Sequence, residues 1–72
     1  MLIKDGVEIR LKQVLDSKGM KQDFLCKQTK ITPKTISTLC RGEALPSLKN
    51  SLKIAEVLRM TVEDIWVLRK EQ

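Results

Sequence analysis

The side chains of this sequence best suited to chemistry stand close together. Thr32, Pro33, Lys34, Thr35, Ser37, Thr38 and Arg41 follow one another with no acid among them. Hydroxyls, an ammonium and a guanidinium donate hydrogen bonds and bring positive charge to an anionic partner. Proline and threonine methyl groups add apolar contact. These residue types do not make a catalyst. The chain has no His and no Tyr. No Ser or Thr has a base beside it in a motif, the carboxylates fall at caps and exposed positions, and no glycine-rich phosphate loop is present. Cys26 and Cys40 fit no zinc spacing. Both cysteines fall on apolar helix faces and read as small core residues, with a redox switch as the lesser alternative. No enzyme activity, cofactor, metal or small-molecule ligand is expected.

Helices must position this set. Thr32 is an N-cap candidate, and Pro33 suits the first helical position, where its missing N–H is not needed. Ile36, Leu39 and Cys40 then fall on one face and the polar set on the other. The spacing predicts a helix over 33–41, preceded across a tight turn by one over 21–28. Phe24, Leu25, Cys26 and Ile31 supply apolar contacts there. Upstream, Asp5 reads as an N-cap with Glu8 as its capping-box partner. Val7, Leu11, Val14 and Leu15 form a stripe that ends near Lys18 and Gly19, with Ile9 off it. Downstream, Ser47 caps a fourth helix whose stripe is Leu48, Leu52, Ala55 and Leu58, with Ile54 beside it. Thr61 and Asp64 open a fifth helix through Trp66 or Leu68. The expectation is an all-α, five-helix single domain spanning 1–72. Its core runs from about 7 to 68, with an N-terminal arm over 1–5 and a frayed tail over 69–72.

Charge is concentrated on the middle of the chain. The net charge is +5. Lys18, Lys21, Lys27, Lys30, Lys34, Arg41, Lys49 and Lys53 are opposed in that span only by Asp23 and Glu43. Such an excess fits a footprint for phosphates. No apolar run approaches the ~20 residues of a membrane span, and the first ten residues lack the apolar stretch of a secretory signal. A cytoplasmic protein is expected.

In order and spacing, these segments resemble the helix-turn-helix of the lambda-repressor-like, or Cro/repressor (Xre), family. Gly19-Met20-Lys21-Gln22 resembles the entry to the first helix of the motif. Thr35-Ile36-Ser37 and Arg41-Gly42 resemble the recognition helix and its stop. Pro46-Ser47-Leu48, Ile54-Ala55 and Leu58 resemble the fourth helix, and 61–66 the fifth. The likeness runs without a gap from about Arg10 to Trp66. It implies a small transcriptional regulator of bacterial, phage or mobile-element type, more a repressor than an activator, whose partner is double-stranded DNA.

Docked as that family docks, Thr32, Pro33, Lys34, Ser37 and Thr38 would face base edges in the major groove. Lys34 could donate to guanine, while Pro33 and the threonine methyls could meet thymine methyl groups. Lys21, Gln22, Lys30, Thr35, Arg41 and Lys49 would hold phosphates. Few amides lie on the recognition helix, so adenine readout looks weak and DNA shape would carry part of the specificity. One such helix reads a half-site. A homodimer on a palindromic operator is therefore expected, with Val62, Trp66 and Leu68 as pairing candidates; Trp66 reads first as a core plug and second as a dimer contact.

The chain also departs from the family. Lys30 and Arg59 stand where Gly or Asn is common, so Lys30 would carry left-handed strain and the helix ending at Arg59 would turn less sharply. Leu15 and Cys40 replace an Arg–Glu ion pair and are expected to touch. Glu43 has the wrong charge for a phosphate and is expected to point away. The rival reading is an antitoxin-type or other protein-interaction module acting through the fifth helix. A domain that kept the fold and lost DNA binding is a third.

Overall fold

Asp5-Gly6 is not the start of a helix. In the computed structural model, which describes residues 2–70, Asp5 has φ 52° and Gly6 φ 78°. Both are left-handed, as a two-residue hairpin turn of the primed type demands. The turn joins β1 (Leu2–Lys4) to β2 (Val7–Ile9). These are followed by α1 (Leu11–Lys18), α2 (Gln22–Thr29), α3 (Pro33–Cys40), α4 (Leu48–Leu58), α5 (Val62–Ile65) and β3 (Trp66–Leu68). The strands form one antiparallel sheet of order β1-β2-β3. The all-α expectation is thereby corrected to five helices and a small sheet. The expected arm is a strand over residues 2–4, and the expected tail is anchored at Arg69; Met1, Glu71 and Gln72 lie outside the described residues.

The register explains the sheet. Ile9 lies opposite Leu2 and Trp66, and Val7 opposite Lys4 and Leu68, while Glu8 lies opposite Ile3 and Val67. Side chains alternate between faces. Ile9 and Trp66 therefore enter the core, and Glu8 projects from the other face. Glu8 is nonetheless 6% exposed, because two guanidinium groups close over it. Arg10 Nε stands 2.9 Å and Arg69 Nη1 2.7 Å from its carboxylate. Burying a carboxylate is tolerable only when it is paired in this way. The hydrogen bond from Arg10 lowers the Glu8 pKa from its ordinary value, against the upward push of burial.

The core is aliphatic, with Leu11, Leu15, Leu25, Ile36, Ile54, Leu58 and Ile65 fully enclosed. Each such side chain is worth about 1.5–3 kcal/mol relative to exposure. Leu15 and Cys40 both belong to this cluster, where α1 packs on α3. Burial pushes the Cys40 thiol up to about 11, so it stays neutral. Three expectations about packing fail. Phe24 is half exposed on α2, because Leu25, Cys26 and Thr29 take its core-facing side. Leu48 and Leu52 are 74% and 54% exposed; α4 is rotated so that Ser51, Ile54, Ala55 and Leu58 face inward. Ser51 is admitted because its hydroxyl donates to the Leu48 carbonyl at 2.7 Å. Arg59, expected to turn less sharply, caps α4 at φ 56°, ψ 45°, fully left-handed.

Candidate nucleic-acid interface

α3 is built as a stiff, outward rod. The Thr32 hydroxyl accepts from the Thr35 N–H at 3.3 Å, and Pro33 occupies the first turn. Ile36, Leu39 and Cys40 pin one face to the core. Thr32, Pro33 and Lys34 are exposed, and Thr35, Ser37 and Thr38 are partly so. The cap also orients hydroxyl protons. Thr32 Oγ1 donates to Thr35 Oγ1 at 2.9 Å. The Thr35 oxygen is thereby an acceptor within the chain, and its own proton is free to donate outward. Ser37 Oγ accepts from Arg41 Nη1 in the same manner.

A groove runs beside this rod, lined by Lys34, Thr35 and Thr38 of α3 and by Ala44, Pro46 and Asn50. The structure thus brings part of the expected set together with Asn50, a partly exposed residue of α4. Lys49 lies in a different groove with Leu48, Leu52 and Glu56. Lys53 is turned toward α2, where its ammonium reaches the Thr29 carbonyl at 3.5 Å.

The first turn of α2 supplies a second set of donors. Lys21 sits at its N-cap with no side chain bonded to the free N–H groups, and Gln22 is the first helical residue. Exposed N–H groups and the helix dipole favour an anion there. At the other end of α2, Lys30 has φ 60° and ψ 26°, the strained conformation expected, and its N–H closes the helix on the Cys26 carbonyl. Among the described residues, Lys21, Lys30, Lys34 and Lys49 make no ion pair, whereas Lys27 is paired with Asp23 at 3.2 Å.

Arg41 differs from these lysines. Its Nη2 stands 3.0 Å from Glu43 Oε1, so Glu43, expected to point away, turns back onto Arg41. The pairing holds the Glu43 carboxyl below its ordinary range and raises the guanidinium. Both side chains stay more than half exposed. Arg41 is therefore tethered, not enclosed.

The pattern is a capped polar rod on an aliphatic scaffold, a preceding helix with an open N-terminus, and free ammoniums around both. A family model described as a Cro/C1-type helix-turn-helix DNA-binding domain matches residues 10–71. The chain belongs to the Cro/C1-type helix-turn-helix DNA-binding family. Its similarity extends to two proteins of Archaeoglobus fulgidus, each described as an uncharacterized helix-turn-helix-type transcriptional regulator. One is 35% identical over 63 residues, covering 88% of this chain and 89% of the relative. The other is 32% identical over 63 residues, covering 88% and 90%. Among solved structures, the crystal structure of a candidate DNA-binding protein from Bacteroides fragilis superposes with a TM-score of 0.76 at 30% identity, over 83% of this chain and 97% of that one.

In this Cro/C1-type domain α2 and α3 form the helix-turn-helix pair. No described helix is long and apolar enough to cross a membrane. Trp66, one of the three expected pairing residues, is 7% exposed and packed in the core, and its indole N–H has no acceptor among the described residues. Leu68 is 71% exposed, and Val62 lies between these extremes.

Proposed function

We propose that this Cro/C1-type domain is a sequence-specific regulator, of repressor type, that binds a palindromic operator as a homodimer. α3 enters the major groove with its N-terminal end against the bases. The observation carrying this reading is the outer face of α3. It is polar, cationic and acid-free, and its cap leaves the Thr35 hydroxyl proton free to donate.

Roles follow from the chemistry. Lys34, with no partner among the described residues, donates to guanine O6 or N7. Pro33 and the methyls of Thr32 and Thr38 contact thymine methyl groups. Ser37, whose oxygen accepts from Arg41, keeps its own proton free to donate. Lys21 and Gln22 offer the open N-terminus of α2 to one phosphate, and the Thr35 hydroxyl donates to another. Lys30 and Arg41 add charge, and Lys49 a weaker, more distant contribution. Two such helices on half-sites about 34 Å apart fix register and orientation. Occupying the operator blocks competing proteins, which is how a domain without catalytic groups acts as a repressor.

Selection of bound duplexes from random DNA at two salt concentrations tests this. An enriched palindrome that survives the higher salt is expected, and enrichment of no sequence at either salt sinks the reading. A second reading, a module that binds another protein, is favoured by the exposed apolar side chains Leu48, Leu52 and Leu68. It predicts no DNA enrichment and a stoichiometric protein partner.

A further inference from the structure

Among the described residues, the indole N–H of Trp66 is the one buried side-chain donor or acceptor without a hydrogen-bond partner. Leaving a donor unmet inside a fold is costly, and a buried tryptophan ordinarily finds an acceptor. A phenylalanine there would fill much of the same space without that cost. The side chain is 7% exposed, and the N–H itself is closed to bulk water.

The ring lines a groove. Trp66 and Leu68 point to the same face of the sheet, and Val7, opposite Leu68, points with them. With Leu48 of α4 and Val62 of α5 they wall a space of about 270 Å³. Ser51 is the one polar side chain in this lining besides the indole, and its hydroxyl proton already goes to the Leu48 carbonyl. No described residue of the lining is charged. The clefts at the head of α2, beside α3 and along the outer side of α4 each carry lysine. No run of the sequence announces this groove, because its walls come from β2, α4, α5 and β3.

We propose that this groove binds a small, neutral, largely apolar molecule with one carbonyl acceptor, a ketone, ester or lactone, whose oxygen takes the indole N–H of Trp66. Apolar walls hold the carbon skeleton and one placed polar group orients it, the usual division of labour in small-molecule sites. Such sites run to about 300–1,000 Å³, so this one takes a ligand from the small end of the range. The ligand must accept, because an indole only donates. It must be uncharged, because nothing in the lining offsets the loss of an ion's hydration. The N–H lies beneath the surface, and the acceptor reaches it as a wall side chain turns aside. Leu48 and Leu68, 74% and 71% exposed, have that freedom, since exposed side chains change rotamer readily. The site holds whether or not α3 reads an operator.

Proton–nitrogen correlation spectra of the isotope-labelled full chain test it. Trp66 is the only tryptophan, so one indole N–H signal reports on the site. Acetophenone is the probe. Ethylbenzene, nearly the same shape without the carbonyl, and benzoate, its charged relative, are the controls. Acetophenone should move the indole signal downfield and saturably, with a dissociation constant of about 1 mM or below, as suits so small a molecule. Ethylbenzene should bind about three- to tenfold more weakly without the downfield shift, and benzoate should leave the signal in place. Trp66→Phe should make acetophenone and ethylbenzene bind alike. Leu48→Glu puts a charge on the wall at an exposed position and should weaken acetophenone about tenfold. If the phenylalanine variant loses its helical circular dichroism, the Leu48 variant and the wild-type comparison of the two probes decide. An indole signal unmoved by acetophenone, equal affinity for acetophenone and ethylbenzene in the wild type, or binding undiminished by Leu48→Glu overturns the proposal. A signal that moves with protein concentration alone and no longer answers to acetophenone means that a second copy fills the groove, and overturns it as well.

Discussion

Lys30 is the residue whose backbone and charge make opposite demands. It holds φ 60°, ψ 26° at the turn between α2 and α3, a conformation that costs an L-residue about 1–2 kcal/mol. Replacing it with glycine removes that strain. Glycine also widens the unfolded ensemble, which takes back about 0.4–1 kcal/mol. The side chain is exposed and makes no ion pair among the described residues, so little else is lost. The net expectation is a gain of about 0.5–1 kcal/mol, or roughly 2–8 °C in the midpoint of a domain this size. DNA binding should move the other way. One fewer phosphate contact flattens the slope of log affinity against log salt by about 0.9 and weakens binding most at low salt. Arg59 is an internal comparison, with φ 56°, ψ 45° at the far end of α4 and an exposed side chain. Arg59→Gly should give a similar thermal gain and leave the salt slope alone. Calorimetry and salt-titrated anisotropy on one duplex separate these outcomes. A lower midpoint for Lys30→Gly refutes the strain argument; an unaltered salt slope refutes the phosphate role.

Other perturbations probe the remaining parts. Lys34→Ala should cost about 1–3 kcal/mol on the best site and relax one base position; equal weakening on random DNA would show that Lys34 reads no base. Glu43→Gln releases Arg41 from its ion pair and removes a negative charge from the interface. Tighter DNA binding with a steeper salt dependence is expected, and unchanged affinity would show that Arg41 never reaches a phosphate. Glu8 should make the fold acid-sensitive. Its folded carboxyl titrates below its ordinary 4.5, chiefly through the Arg10 hydrogen bond, so the unfolded chain binds its proton more readily. That stability is intact above pH 4.5 and is lost as pH falls through the folded value. Glu8→Gln should lower the urea midpoint at neutral pH and flatten the acid dependence; an equally steep acid limb in the variant would count against the clasp.

The helix-turn-helix was legible because its signals are local. Thr32-Pro33 at the head of α3, Ser47 before α4 and the Thr61–Asp64 box of α5 each act within one turn of helix, and the structure forms all three caps. The ends of the chain were not legible, because their determinants are remote. Asp5 and Glu8 match a capping box in spacing, yet Asp5-Gly6 flanked by Leu-Ile-Lys and Val-Glu-Ile is also a hairpin signal, and the pairing of β2 with β3 decides between them. That pairing is sealed by a bond from Arg69 to Glu8, 61 positions apart. The rotation of α4 was misread for a related reason. Leucine at 48 and 52 outweighed Ser51 in a hydrophobic count, whereas a serine that returns its hydroxyl to the helix enters the core at little cost.

The misread face of α4 bears on how the two proposed activities are joined. Leu48 and Asn50 are two positions apart on a helix, about 200° around its axis, so they lie on nearly opposite flanks. Asn50 opens onto the groove beside α3, and Leu48 onto the groove beside β3. One rigid helix, pinned by Ile54, Ala55 and Leu58, therefore stands between α3 and β3, and neither surface hangs on a flexible connection. In the proposed homodimer, pairing on the β3 side would set the distance from the two-fold axis to each α3 by packed elements and not by a linker, so that such a dimer would read half-site spacing as well as bases.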